Sequence, residues 1–99
     1  MIKHIVLWKL SATDDVARER AAQEIVDAFD GIEQRIPELL AISIERNVVE
    51  SPSNADLALI SEFESLDALN AYLEHPEHEA AATISRARVA QRTVIDYEF

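Results

Sequence analysis

The chain contains no cysteine and a single glycine, Gly31, among its 99 residues. Without cysteine there are no disulfides and no thiolate nucleophiles, a composition compatible with a reducing, cytoplasmic setting. One glycine excludes a glycine-rich phosphate loop and leaves scope only for short, few loops. Bases are scarce, 9 against 19 acids, for a formal net charge of −10. A phosphate backbone or an anionic lipid surface would be repelled, so neither nucleic acid nor membrane is expected as a partner. No apolar run reaches membrane-spanning length, and the opening Met1-Ile2-Lys3-His4-Ile5 reads as a strand rather than a signal peptide. What is plentiful is aliphatic: 48% of residues are hydrophobic and only 6% aromatic, which predicts one globular domain spanning residues 1–99. A chain of this size buries roughly two-thirds of its unfolded surface, so any pocket must be small or completed by a second subunit.

Residues 2–10 alternate as a strand, with Ile2, His4, Val6, Trp8 and Leu10 on one face and Lys3, Ile5, Leu7 and Lys9 on the other. Ser11-Ala12-Thr13-Asp14-Asp15 carries helix-start chemistry, a hydroxyl cap followed by acids. The helical stripe that follows runs through Ala22, Ile25, Val26, Phe29, Ile32 and Ile36, with Pro37 ending it and Gly31 loosening its last turns. Residues 40–49 predict a second strand, Ser51-Pro52-Ser53-Asn54 a turn, and residues 56–64 a third strand. Ser65 caps a helix with Leu66, Leu69, Tyr72 and Leu73 on one side; Pro76 interrupts it, and helix-compatible residues resume to about Val89. Arg92 to Phe99 predicts a last strand.

The order βαββαβ predicts an α+β, ferredoxin-like fold: a four-stranded antiparallel sheet with both helical segments on one face. The other face is then bare, and Ile5, Leu7, Ala58 and Ile60 are candidates to line it. An extended apolar sheet face is not left in water, so a homodimer formed through it is expected.

The candidate chemistry is concentrated in Tyr72-Leu73-Glu74-His75-Pro76-Glu77-His78. If Pro76 opens the resumed helix, His78 lies in its first turn, where the dipole disfavours imidazolium by ~0.3–1 kcal/mol. Glu74, Glu77 and Glu79 act in the opposite sense. A neutral imidazole is a suitable general base for an acidic C–H, and Tyr72 is placed to donate to a carbonyl as charge develops on its oxygen. The plainer alternative is that His78 helps cap the helix break while Tyr72 packs. His75 reads as the end of the first helical segment. His4 and Trp8 read either as core or as pocket groups. His75 and His78 are three apart, but Pro76 interrupts the helix between them and no third ligand is evident, so no metal is expected. No nucleophile elbow is present.

Ile2–Leu10, Ile36-Pro37, Arg46-Asn47-Val48, Asp56–Phe63, Tyr72–His78 and Asp96-Tyr97, in that order, resemble the stress-responsive dimeric α/β-barrel (Dabb) family over nearly the whole chain. The resemblance implies a ferredoxin-like protomer whose sheet joins its mate's into a dimeric α/β barrel. One branch contains plant polyketide cyclases, whose proposed acid–base pair is a tyrosine and the second histidine of a His-Pro-x-His motif. Tyr72 and His78 stand at the matching positions, while Phe29, Val89 and Leu57 stand where those cyclases carry tyrosine, tryptophan and histidine.

Three functions follow as expectations. The first is a binder of an apolar or aromatic small molecule, in a pocket edged by His4, Val6, Trp8, Phe29, Leu57, Leu59, His75 and Val89. The second is a lyase or cyclase that uses Tyr72 and His78 without a cofactor. The third is a ligand-free structural module.

Overall fold

The computed structural model describes all residues from Met1 to Phe99. Strand β1 (Ile2–Leu10) leads to α1 (Asp15–Phe29), a short 3₁₀ turn (Ile32–Gln34), β2 (Ala41–Arg46) and β3 (Leu57–Phe63). Two helices, α2 (Leu66–Glu74) and α3 (Pro76–Arg86), precede β4 (Val89–Glu98). The four strands form one antiparallel sheet in the order β2-β3-β1-β4, the ferredoxin-like arrangement expected from the sequence.

Alternation in β1 sets the architecture. Ile2, His4, Val6, Trp8 and Leu10 are buried, and Leu57, Leu59, Ser61 and Phe63 of β3 lie on the same face. Helix α1 covers that face with Ala21, Ala22, Ile25 and Phe29, and α2 with Leu69 and Tyr72. All of these but His4 and Ser61, joined by Ile32, Ile36, Leu39 and Ala81, form one hydrophobic core of 17 buried residues. Helix α3 packs mainly on α1, through Ala81, Ala82 and Ser85. Their small side chains bring α3 close to α1, and the helix-facing side of β4 stays exposed.

Capping explains the helix boundaries. The N-cap of α1 is Asp14, whose carboxylate accepts from Ala17 N at 2.8 Å, rather than a hydroxyl. Ser11 instead uses both its N–H and its hydroxyl on the Arg88 carbonyl, tying the start of α1 to the entry of β4. The expected helix to Ile36 stops at Phe29, because Asp30 is extended (ψ 127°) and Gly31 is left-handed at φ 71°. The helical spacing of Ile32 and Ile36 survives because the 3₁₀ turn returns both to the core. Ser65 caps α2 as expected, accepting from Ala68 N at 3.1 Å. The helical segment expected to reach Val89 ends at Arg86, and Val89 opens β4 opposite Leu10, beside a bulge.

The opposite sheet face carries a row of Ser43, Ile60, Ile5 and Ile95. Beside it lie Leu7, Ala58 and Thr93. Leu7, Ile95 and Tyr97 are exposed, and no element of the chain covers them. No helix is long and apolar enough to cross a membrane.

Candidate functional site

Between α3 and the β1–β4 half of the sheet lies a cavity of about 360 Å³. His4, Val6 and Trp8 form its floor, Phe29 of α1, Tyr72 and His78 line its walls, and Ser85, Arg86, Val89 and Arg92 contribute from α3 and β4. The fold creates it by leaning α3 on α1 and leaving the helix-facing side of β4 uncovered.

Tyr72 is the last buried residue of α2, one turn after Leu69, and is only 1% exposed. Its ring lies 5.0 Å from Phe63 and 4.5 Å from His78, centroid to centroid. Burial raises its hydroxyl well above the usual phenol range, so the group remains a protonated donor. The hydroxyl makes no hydrogen bond within the protein, and it is not among the fully enclosed polar atoms that lack a partner.

The α2–α3 corner orients the histidines differently. His75 closes α2 and opens α3: its N–H returns to the Tyr72 carbonyl, and its Nδ1 accepts from Glu77 N at 3.1 Å. Pro76 at the first position of α3 fixes the bend, since its missing N–H is not needed there. One turn on, His78 Nδ1 donates to the Leu73 carbonyl at 3.1 Å. A carbonyl only accepts, so the hydrogen sits on Nδ1 and Nε2 keeps its lone pair, with no protein partner. Burial is the largest influence on this ring and lowers its pKa from the ordinary histidine value. The Leu73 bond and Glu79 oppose that, while His4 and Arg86 reinforce it. His78 is therefore a neutral base around pH 7.

His4 is the third polar group. It is 3% exposed, and its Nδ1 pairs with Asp96 Oδ1 at 2.5 Å across the β1–β4 register. Its ring stands edge-on to Tyr72 and Phe63, at 6.4 and 6.5 Å. His4, Tyr72 and His78 thus converge on one end of the cavity. Phe29 lies between that end and Trp8, edge-on to His78 at 6.5 Å and 5.8 Å from Trp8.

Of the residues singled out from the sequence, His4, Val6, Trp8, Phe29, Leu59, Tyr72, His78 and Val89 all line this cavity. His75 does not: its ring serves the helix corner. Leu57 does not either; it is 2% exposed and packed in the core. Leu73, Ala82, Ser85, Arg86 and Arg92 also line it, and no sequence pattern marks them for that role. No group of three histidine, cysteine or acidic side chains is arranged to hold a metal ion.

The family model described as the Stress responsive A/B Barrel Domain matches residues 2–99. The chain belongs to the Dabb family. An uncharacterized protein of Streptomyces coelicolor is 37% identical to this Dabb chain over 100 residues, with both chains covered completely. A dimeric protein of unknown function and ferredoxin-like fold from Bacteroides fragilis is 31% identical, with 99% of this chain and 95% of that one covered and a TM-score of 0.87. Hydroxynitrile lyase from Passiflora edulis shares the Dabb chain's fold at 15% identity, with a TM-score of 0.79 over 97% of this chain and 90% of that one.

Proposed function

We propose that this Dabb protein is a homodimer that binds an apolar or aromatic small molecule in the cavity between α3 and the sheet. The observation that carries the reading is a cavity of about 360 Å³, lined for the most part by apolar side chains, into which His4, Tyr72 and His78 converge. A space of that size accommodates a small ligand. A protein in which side chains filled the site would have no such volume. The dimer is supported by the uncovered row of Ile60, Ile5 and Ile95 and by the dimeric state of the Bacteroides relative.

A second reading, cofactor-free chemistry on a carbonyl compound, is favoured by one feature. Tyr72 and His78 face each other at 4.5 Å with their functional atoms unsatisfied by the protein. His78 Nε2 would remove a proton from the carbon adjacent to the carbonyl, the electron pair passing to the carbonyl oxygen. The Tyr72 hydroxyl would donate to the carbonyl oxygen as negative charge develops there.

A thermal-shift screen of aromatic and polyketide-like carbonyl compounds tests the first reading, with stabilisation by at least one class expected. Failure of every class to shift the transition would refute it. For any compound that is turned over, Tyr72→Phe and His78→Ala should lower kcat by about 10²–10³-fold while sparing most affinity. Undiminished turnover in both variants would refute the acid–base assignment and leave the binding reading intact.

A further inference from the structure

Nine basic side chains face nineteen acidic ones in this chain, and almost all are already engaged. Lys3 pairs with Glu62, Arg18 with Asp56, Arg35 with Glu77, Arg46 with Glu19, Arg86 with Glu79 and Arg88 with Glu24. Lys9 donates to the Pro52 carbonyl at 2.5 Å. That leaves the side chains of Arg20 and Arg92 with neither an ion pair nor a hydrogen bond. Arg20 sits on the exposed side of α1, near enough to Glu24 to stabilise its charge. Arg92 instead lines the cavity beside Trp8, its partner in the β1–β4 register. Arg86 also lines the cavity, but its charge is taken up by Glu79.

We infer that the cavity is built for an organic acid: an aromatic or aliphatic body inside, and a carboxylate received at the rim by Arg92. This rests on the binding reading above and adds its ligand class. In a chain of net charge −10 the long-range field repels anions, so an unneutralised guanidinium at this mouth supplies the attraction that the rest of the surface withholds. A guanidinium matches a carboxylate with two parallel N–H donors, a stronger contact than either makes with a neutral amide. The inner wall suits the rest of such a molecule, being apolar apart from His4, Tyr72, His78 and Ser85, whose hydroxyl is occupied by the Ala82 carbonyl. His4 and Trp8 lie four residues apart on β1, roughly 13 Å at strand spacing. The acid group at Arg92 and the reactive groups at Tyr72 and His78 therefore address opposite ends of the ligand.

The test uses matched acid–amide pairs, 4-phenylbutyrate against 4-phenylbutanamide and hexanoate against hexanamide. Binding is read by calorimetry and by the emission of Trp8, the sole tryptophan, which lies on the cavity floor. The wild-type protein should favour each acid by about tenfold or more at low salt, with the preference shrinking at high salt. Arg92→Gln should reduce the preference to about threefold or less by weakening the acid far more than the amide, and Arg20→Gln should leave the preference as it is. Equal affinity of the wild-type protein for acid and amide, or an undiminished preference in Arg92→Gln, would overturn the inference and leave the binding reading standing. A wild-type protein that binds neither member of either pair overturns the inference, and the thermal-shift screen then decides the binding reading.

Discussion

Ile95→Asp isolates the proposed dimer interface. Ile95 sits on the uncovered sheet face at the end of the row formed with Ile5 and Ile60, and is 58% exposed in the isolated protomer. Fully burying an isoleucine side chain is worth about 1.5–3 kcal/mol, so the part still to be gained here is about 0.9–1.7 kcal/mol. A two-fold interface counts each position twice, giving about 1.7–3.5 kcal/mol and a dissociation constant weakened about twenty- to three-hundred-fold. The new carboxylate adds to that figure, because it joins two copies that each already carry a net charge of −10. Within the protomer the site is solvent-facing on an edge strand, so the substitution should cost no more than about 1 kcal/mol of folding stability. Sedimentation velocity over a dilution series is the assay, with circular dichroism to confirm that the fold survives. Wild-type protein that is monomeric at micromolar concentration, or an Ile95→Asp dimer of unchanged affinity, would refute the reasoning.

Gly31→Ala should lower stability by about 1–2 kcal/mol, since a non-glycine residue must be forced into the left-handed region. The added Cβ meets nothing closer than Arg35 Nη1 at 3.6 Å, so the loss is backbone strain alone. Gly31→Asn should therefore lose less than Gly31→Ala, because asparagine tolerates that region better; equal melting points for wild type and Gly31→Ala would refute this. His78 should titrate below the ordinary histidine value when followed by ring-proton NMR. Because burial depresses its folded pKa, folding is favoured most above the unfolded value near 6.5, and that contribution is lost as pH falls through the lower folded value. His78→Gln should flatten this part of the stability profile, and a wild-type ring that titrates above the ordinary value would contradict the assigned environment.

The element order was legible because β1 and β3 alternate cleanly and Pro76 and Ser65 mark helix ends without ambiguity. So was the uncovered face, since Ile5, Leu7, Ala58 and Ile60 fall on it by period alone. The end of α1 was not. Ile32 and Ile36 keep a helical spacing across a break made by one glycine's dihedral, which periodicity cannot register. At the site, Tyr72 and His78 were visible because they are close in sequence, and the corner between them is short. The Asp96 partner of His4 lies 92 positions away, and Arg92 meets Trp8 only through strand pairing. Such contacts leave no local signal. Nor does sequence say which way a corner turns a ring, and the ring of His75 turns to the backbone of α3 instead of the pocket.

The cavity's floor and inner wall are made of the same side chains that close the core, namely His4, Val6, Trp8, Phe29, Leu59 and Tyr72. A change at any of them alters folding and recognition together. Arg86, Ala90 and Arg92 lie outside that overlap, exposed at the lip. Divergence toward a new ligand is therefore channelled into the last turn of α3 and the first residues of β4, where chemistry can be exchanged while the scaffold stays as it is.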